Sequence, residues 1–99
     1  MDKMIIEKIN ELEYEKQELN EMVKTYERDK IDIQLYKIEL KYSPEYNKYK
    51  TVKEKEERAT LEVGEAMLEL QLDKLKIDDK RARVEAIKYE LDFLLKTVN

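Results

Sequence analysis

Apolar side chains recur every seven residues along both halves of this 99-residue chain. The first ladder is Ile5, Leu12, Leu19, Tyr26, Ile33 and Leu40; the second is Val63, Leu70, Ile77, Val84, Leu91 and Val98. Such a repeat, kept in phase over six positions, is the seam of a long helix packed on another helix. Between the ladders stands the only proline, Pro44, and the chain holds one glycine, Gly64. The pattern predicts an all-α fold: an antiparallel two-helix coiled-coil hairpin forming one domain. Helix 1 is expected over about residues 2–42, a bend over 43–50 and helix 2 over about 51–97.

Local signals place the ends. Proline disfavours helical geometry in the residue before it, so helix 1 should stop near Tyr42. Ser43 then serves as a cap for a short turn with Pro44 in its first position. Thr51 followed by Glu54 reads as a capping box that starts helix 2. Residues 31–35 alternate apolar and polar as a strand would. Ile31, Leu35, Ile38 and Tyr42 nevertheless form a second helical stripe there, and nothing else in the chain alternates. Residues 77–81 are the weakest stretch of helix 2, where Asp78 or Asp79 could cap a new helix. The glycine asks for a packing reason, because it costs a helix ~1 kcal/mol relative to alanine. Small residues at Ala59, Gly64 and Ala66 are expected to admit a close approach of helix 1.

The other core positions are less apolar. Helix 1 offers Asp2, Ile9, Lys16, Val23, Lys30 and Lys37; helix 2 offers Ala59, Ala66, Asp73, Lys80, Ile87 and Leu94. Folding about a turn near Tyr46 makes facing residue numbers sum to about 92 or 93. Two seam charge pairs then follow: Lys37 faces Glu56, and Lys16 lies one layer from Asp73. Helix 2 carries a further stripe, Leu61, Leu68, Leu72, Leu75, Ala82, Ala86, Tyr89 and Phe93. Residues two apart lie about 200° apart around a helix, so this stripe points nearly opposite to the first. One partner helix cannot cover both. A small hairpin in this position is expected to self-associate, as a homodimeric four-helix bundle or against another protein's helices, with Leu94 and Val98 as further contacts.

Composition narrows the chemistry. Charged residues make up 44% of the chain, with 24 acidic and 20 basic residues and a formal charge of −4. Because the apolar positions stay in phase, these charges read as solvated helix flanks rather than as a signature of disorder. The mild acidity argues against general affinity for duplex DNA or anionic membrane. Cysteine and histidine are absent, which removes thiol chemistry and the commonest proton-transfer and metal-binding side chain. No enzyme activity, catalytic residue, metal or cofactor is expected. No apolar run approaches a membrane span or a signal peptide, so a cytoplasmic protein is expected.

Three features invite functional readings. The bend gathers Tyr42, Tyr46 and Tyr49 among Lys48, Lys50 and neighbouring lysines, giving residues 41–55 a net charge of +3 in an acidic chain. Aromatics among cations can stack on bases, form a protein hot spot, or simply cap the bundle. Residues 1–29 and 56–79 are acidic, net −4 and −5. Glu11, Glu15 and Glu18, with Glu62, Glu65 and Glu69, are spaced for one face, either as solvated flanks or as a mimic of nucleic-acid charge. Glu65 and Glu69 look like the start of a carboxylate metal site, but a di-metal bundle needs Glu-x-x-His pairs, and there is no histidine.

The run Thr-Val-Lys-Glu-Lys-Glu-Glu-Arg-Ala at 51–59, then Arg-Val-Glu-Ala-Ile at 83–87 and the apolar stretch at 91–95, resembles a group of small helical coiled-coil proteins encoded by phages of Gram-positive bacteria. Proteins of that group tend to be encoded among replication, recombination or host-takeover genes. The resemblance spans about residues 51–95. It implies a protein–protein interaction module in the host cytoplasm, an accessory factor or inhibitor acting on a nucleic-acid-processing or defence enzyme. It brings no shared site residues, and the basic residues that often follow in the last helix are fewer here. Direct binding of single-stranded nucleic acid through the bend is the alternative from another class. A secreted hairpin of the WXG100 kind is a third, although the bend lacks Trp-x-Gly.

Overall fold

The computed structural model describes residues 2–97, and every regular element among them is helical. Helix α1 spans Lys3–Lys41, a 3₁₀ turn spans Pro44–Lys48, α2 spans Val52–Glu62 and α3 spans Gly64–Thr97. Asp2 starts α1: its carboxylate accepts the Met4 N–H at 2.8 Å, satisfying a donor that has no partner inside the helix. The alternating stretch at 31–35 is helix, as the second stripe required.

The bend departs from expectation in one detail. Ser43 is extended and precedes Pro44, but its hydroxyl does not cap the 3₁₀ turn. It donates back to the Leu40 carbonyl at 2.8 Å and so closes the end of α1. Thr51 does cap α2, its hydroxyl oxygen accepting the Glu54 N–H at 3.1 Å. The reciprocal half of the box, from the Glu54 carboxylate, is not among the hydrogen bonds of the described residues.

The expected second helix is two. Residues 77–81 lie inside unbroken α3, and the interruption falls at Val63, whose φ of −93° and ψ of 7° leave the helical region. The break is slight: the Val63 N–H still reaches the Ala59 carbonyl at 3.2 Å, and the Met67 N–H reaches that of Val63 at 2.9 Å. Its causes are local. The Thr60 hydroxyl donates back to the Glu56 carbonyl at 2.8 Å, a bond that bends helices. A β-branched residue followed by glycine is then poor helix-forming sequence. Gly64 also lacks the packing role expected of it, since a Cβ built there meets nothing within 4 Å. Ala66 is exposed, and only Ala59 of the small residues is buried.

The chain divides into two compact units. In the first, the α1 residues up to Lys24 pack with the α3 residues from Lys74 onward, around buried Ile5, Ile77, Val84 and Ile87. Lys8 pairs with Glu90 and Lys80 with Glu15 and Glu18, so the two segments run antiparallel here. The second unit, Thr25–Asp73, has Tyr46, Ala59 and Val63 as its buried residues. Tyr26, Ile33, Leu40 and Leu70 are half-buried there. Val98 lies outside the described residues.

Candidate functional site

The exposed stripe is the strongest candidate. Leu61, Leu68, Leu72, Leu75, Tyr89 and Phe93 are each between 58% and 74% exposed. Their heptad mates on the other face, Val63, Ile77, Val84 and Ile87, are at most 4% exposed. Scattered apolar residues on a surface need no explanation, but a set repeating along a helix does. Leu61 belongs to α2 and the rest to α3, with Ala82 and Ala86 continuing the stripe between Leu75 and Tyr89. Helix α1 exposes its own second stripe at Ile31, Leu35 and Ile38, continued by Tyr42 just past its end. At the C-terminal part of α3, Tyr89, Phe93 and half-buried Leu94 line an open groove of about 440 Å³ with Met4 and Lys8.

The tyrosine cluster is largely consumed by its own packing. Tyr46 is 5% exposed, and its ring meets that of Tyr49 edge to face at 5.2 Å and 81°. The Lys48 ammonium lies 5.2 Å from the Tyr49 ring centre and the Arg58 guanidinium 5.4 Å. The Tyr46 hydroxyl is buried without a hydrogen-bond partner, and burial pushes its pKa up. Tyr42 is exposed and stands apart from this cluster, and Lys50 is exposed. A surface for stacking bases therefore loses Tyr46, the ring at its centre. Arg58 was not expected at the bend; only its place nearly two turns into α2 hints at it.

Glu56 receives both Lys37, at 2.8 Å, and Lys41, at 2.5 Å. Hydrogen bonds from Lys37 first and Lys41 second hold its carboxyl down to about 2. Lys16 is exposed, and neither it nor Asp73 joins an ion pair among the described residues. Asp73 is half-buried and lines a cleft of about 210 Å³ with Asp29, Asp32 and Glu69. No group of three or more acids among the described residues is arranged to hold a metal.

The polar centre of the first unit is Glu15, a residue that reads as flank in the sequence. It is 7% exposed and contacts Lys80 together with the Arg83 Nε, the latter at 3.2 Å. Lys80, chiefly, and then Arg83 hold its carboxyl below the usual range. Glu18 shares Lys80 and accepts the Tyr14 hydroxyl at 2.8 Å, and Glu11 lies 3.6 Å from Arg83. Glu11, Glu15 and Glu18 are thus tied to cations on α3, so this part of the acidic face is neither free nor fully solvated. The signal was Lys80 at a seam position, a cation that needs a nearby acid. Glu62, Glu65 and Glu69 stay exposed.

No protein-family model, curated protein or solved structure matches the chain. No helix among the described residues is long and apolar enough to cross a membrane.

Proposed function

We propose that the protein is a non-enzymatic protein–protein interaction module. In this reading the chain is an antiparallel helical hairpin that presents a second apolar seam to other helices, giving a homodimeric four-helix bundle or a complex with a target. The resemblance at 51–59 and 83–95 extends the reading to a phage accessory factor or inhibitor that modulates a nucleic-acid-processing or defence enzyme.

The observation that carries it is the exposure of six large apolar residues at helical spacing, Leu61 to Phe93. Apolar stripes of this length are the surfaces that bury against partner helices. Binding of single-stranded nucleic acid has less support, because Tyr46 and Tyr49 spend their faces and edges on each other.

The test replaces Leu68 and Leu72 by lysine, both solvent-exposed and outside either core. Wild-type protein immobilised on a resin is expected to retain one or more defined proteins from host lysate, and the double variant to lose them while keeping its helical circular dichroism. Equal retention by both would refute the reading.

A further inference from the structure

We infer that a cationic groove on the first unit receives an acid-edged helical ridge from the second unit of another copy of the chain. This rests on the reading of the exposed stripe as a docking surface and names what receives part of it.

The two sides of the first unit differ in how their charges are matched. On one side the ion pairs cross between helices: Lys8 with Glu90, Lys80 with Glu15 and Glu18, and Arg83 with Glu11 and Glu15. On the other side Lys16 of α1 and Arg81, Glu85 and Lys88 of α3 border a groove of about 430 Å³, with Leu19 and buried Val84 also lining it. Among the described residues, no ion pair of these side chains crosses the groove. Arg81 reaches Asp78 at 3.6 Å and Lys88 reaches Glu85 at 3.1 Å, each one turn away on its own helix. Lys16 joins no ion pair among the described residues, although it holds a seam position between half-buried Ile9 and Val23. Cations on both walls repel one another, and an acidic occupant relieves that repulsion.

The occupant must also meet the apolar lining. A strand of phosphates fits less well, because it brings no apolar surface to Leu19 and would pass Glu85 on its way from Arg81 to Lys88. A helix with an apolar line and an acidic edge supplies both needs.

The chain itself carries such a ridge, wholly within the second unit. Leu61, Leu68 and Leu72 are 71%, 63% and 58% exposed. Helical geometry sets Glu62, Glu65 and Glu69 along one flank of that line and uncharged Gly64, Met67 and Gln71 along the other. The three acids are exposed, and none joins an ion pair among the described residues. Arg58, the next cation along that flank, lies over the Tyr49 ring. Seven residues separate Glu62 from Glu69, as they separate Arg81 from Lys88, roughly 10 Å along either helix. Two acids therefore meet two cations at once, whichever way the ridge runs.

The experiment is charge reversal read by sedimentation equilibrium of the full chain at about 1–100 μM in about 0.15 M salt, where long-range attraction is screened. Wild-type protein should self-associate, more weakly as salt rises. Arg81→Glu with Lys88→Glu should weaken association roughly 5- to 100-fold, and so should Glu62→Lys with Glu69→Lys. The two variants mixed should associate again, because the reversed groove meets the reversed ridge and each native surface meets its native counterpart. Circular dichroism checks the fold; if the groove variant loses helicity, Lys16→Glu, which breaks no ion pair among the described residues, takes its place. Placing the same charge change at exposed Glu7 and Glu39 should leave association as in the wild type. Loss of association there too, or variants that stay apart when mixed, would overturn the pairing. Association indifferent to the groove variant would overturn the groove as the seat while leaving the stripe as a docking surface. A wild-type monomer throughout the range would overturn the second copy as occupant, and the lysate test with Leu68 and Leu72 then decides the broader reading independently.

Discussion

Replacing Gly64 by alanine separates two accounts of the only glycine in the chain. If glycine is there to let another helix approach, a methyl group must collide. The space where that methyl would sit is empty to 4 Å, and none of the described residues has a positive φ that would require glycine. The substitution therefore adds no clash and no backbone strain. What remains is the backbone freedom of the unfolded chain, which glycine raises and alanine lowers. The gain in a helix is about 0.5–1 kcal/mol. Gly64 opens α3 directly after the Val63 joint, where the hydrogen bonds at 3.2 Å and 2.9 Å still bridge the break. For a chain near 100 residues, 1 kcal/mol corresponds to a melting shift of about 4–8 °C. Gly64→Ala should raise Tm by about 2–8 °C in a circular dichroism melt at fixed protein concentration. Concentration matters because self-association itself raises Tm. An unchanged or lowered Tm would show that the glycine answers a conformational or packing need, and the reasoning would be wrong.

Two further outcomes concern the polar groups. The Glu56 carboxyl is held down to about 2 by Lys37 and Lys41, against an unfolded value near 4.5. Its contribution is therefore fully present above pH ~4.5 and lost as the pH falls toward 2. Melting curves between pH 5 and 2 should drop more steeply for the wild type than for Glu56→Gln, and parallel slopes would refute the assignment. Tyr46→Phe removes a buried hydroxyl that has no partner but keeps the ring against Tyr49. Tm should hold or rise, and a fall of several degrees would mean that the hydroxyl is satisfied after all.

The local grammar of this chain is written in short stretches of sequence. Thr51 marks a helix start because a side-chain oxygen and a free N–H three residues on suffice to make a cap. Ser43–Pro44 ends α1 because proline restricts its immediate neighbour. The seven-residue repeat assigns Ile5, Ile77, Val84 and Ile87 to the interior, because side-chain direction on a helix follows from residue number alone.

Tertiary structure decided what depends on distant partners. Glu15 and Lys80 are separated by most of the chain, so no local pattern makes that one glutamate buried among several similar ones. The same holds for Tyr46, which looks like its neighbours Tyr42 and Tyr49 in sequence and differs from them only in what packs around it. Gly64 is the converse case: its type implied a crowded site, and the empty space around it appears only once α1 has taken its place. Periodicity fixes which face of a helix turns inward, whereas charge partners and free volume are properties of the packed arrangement and are set by the neighbours that packing brings.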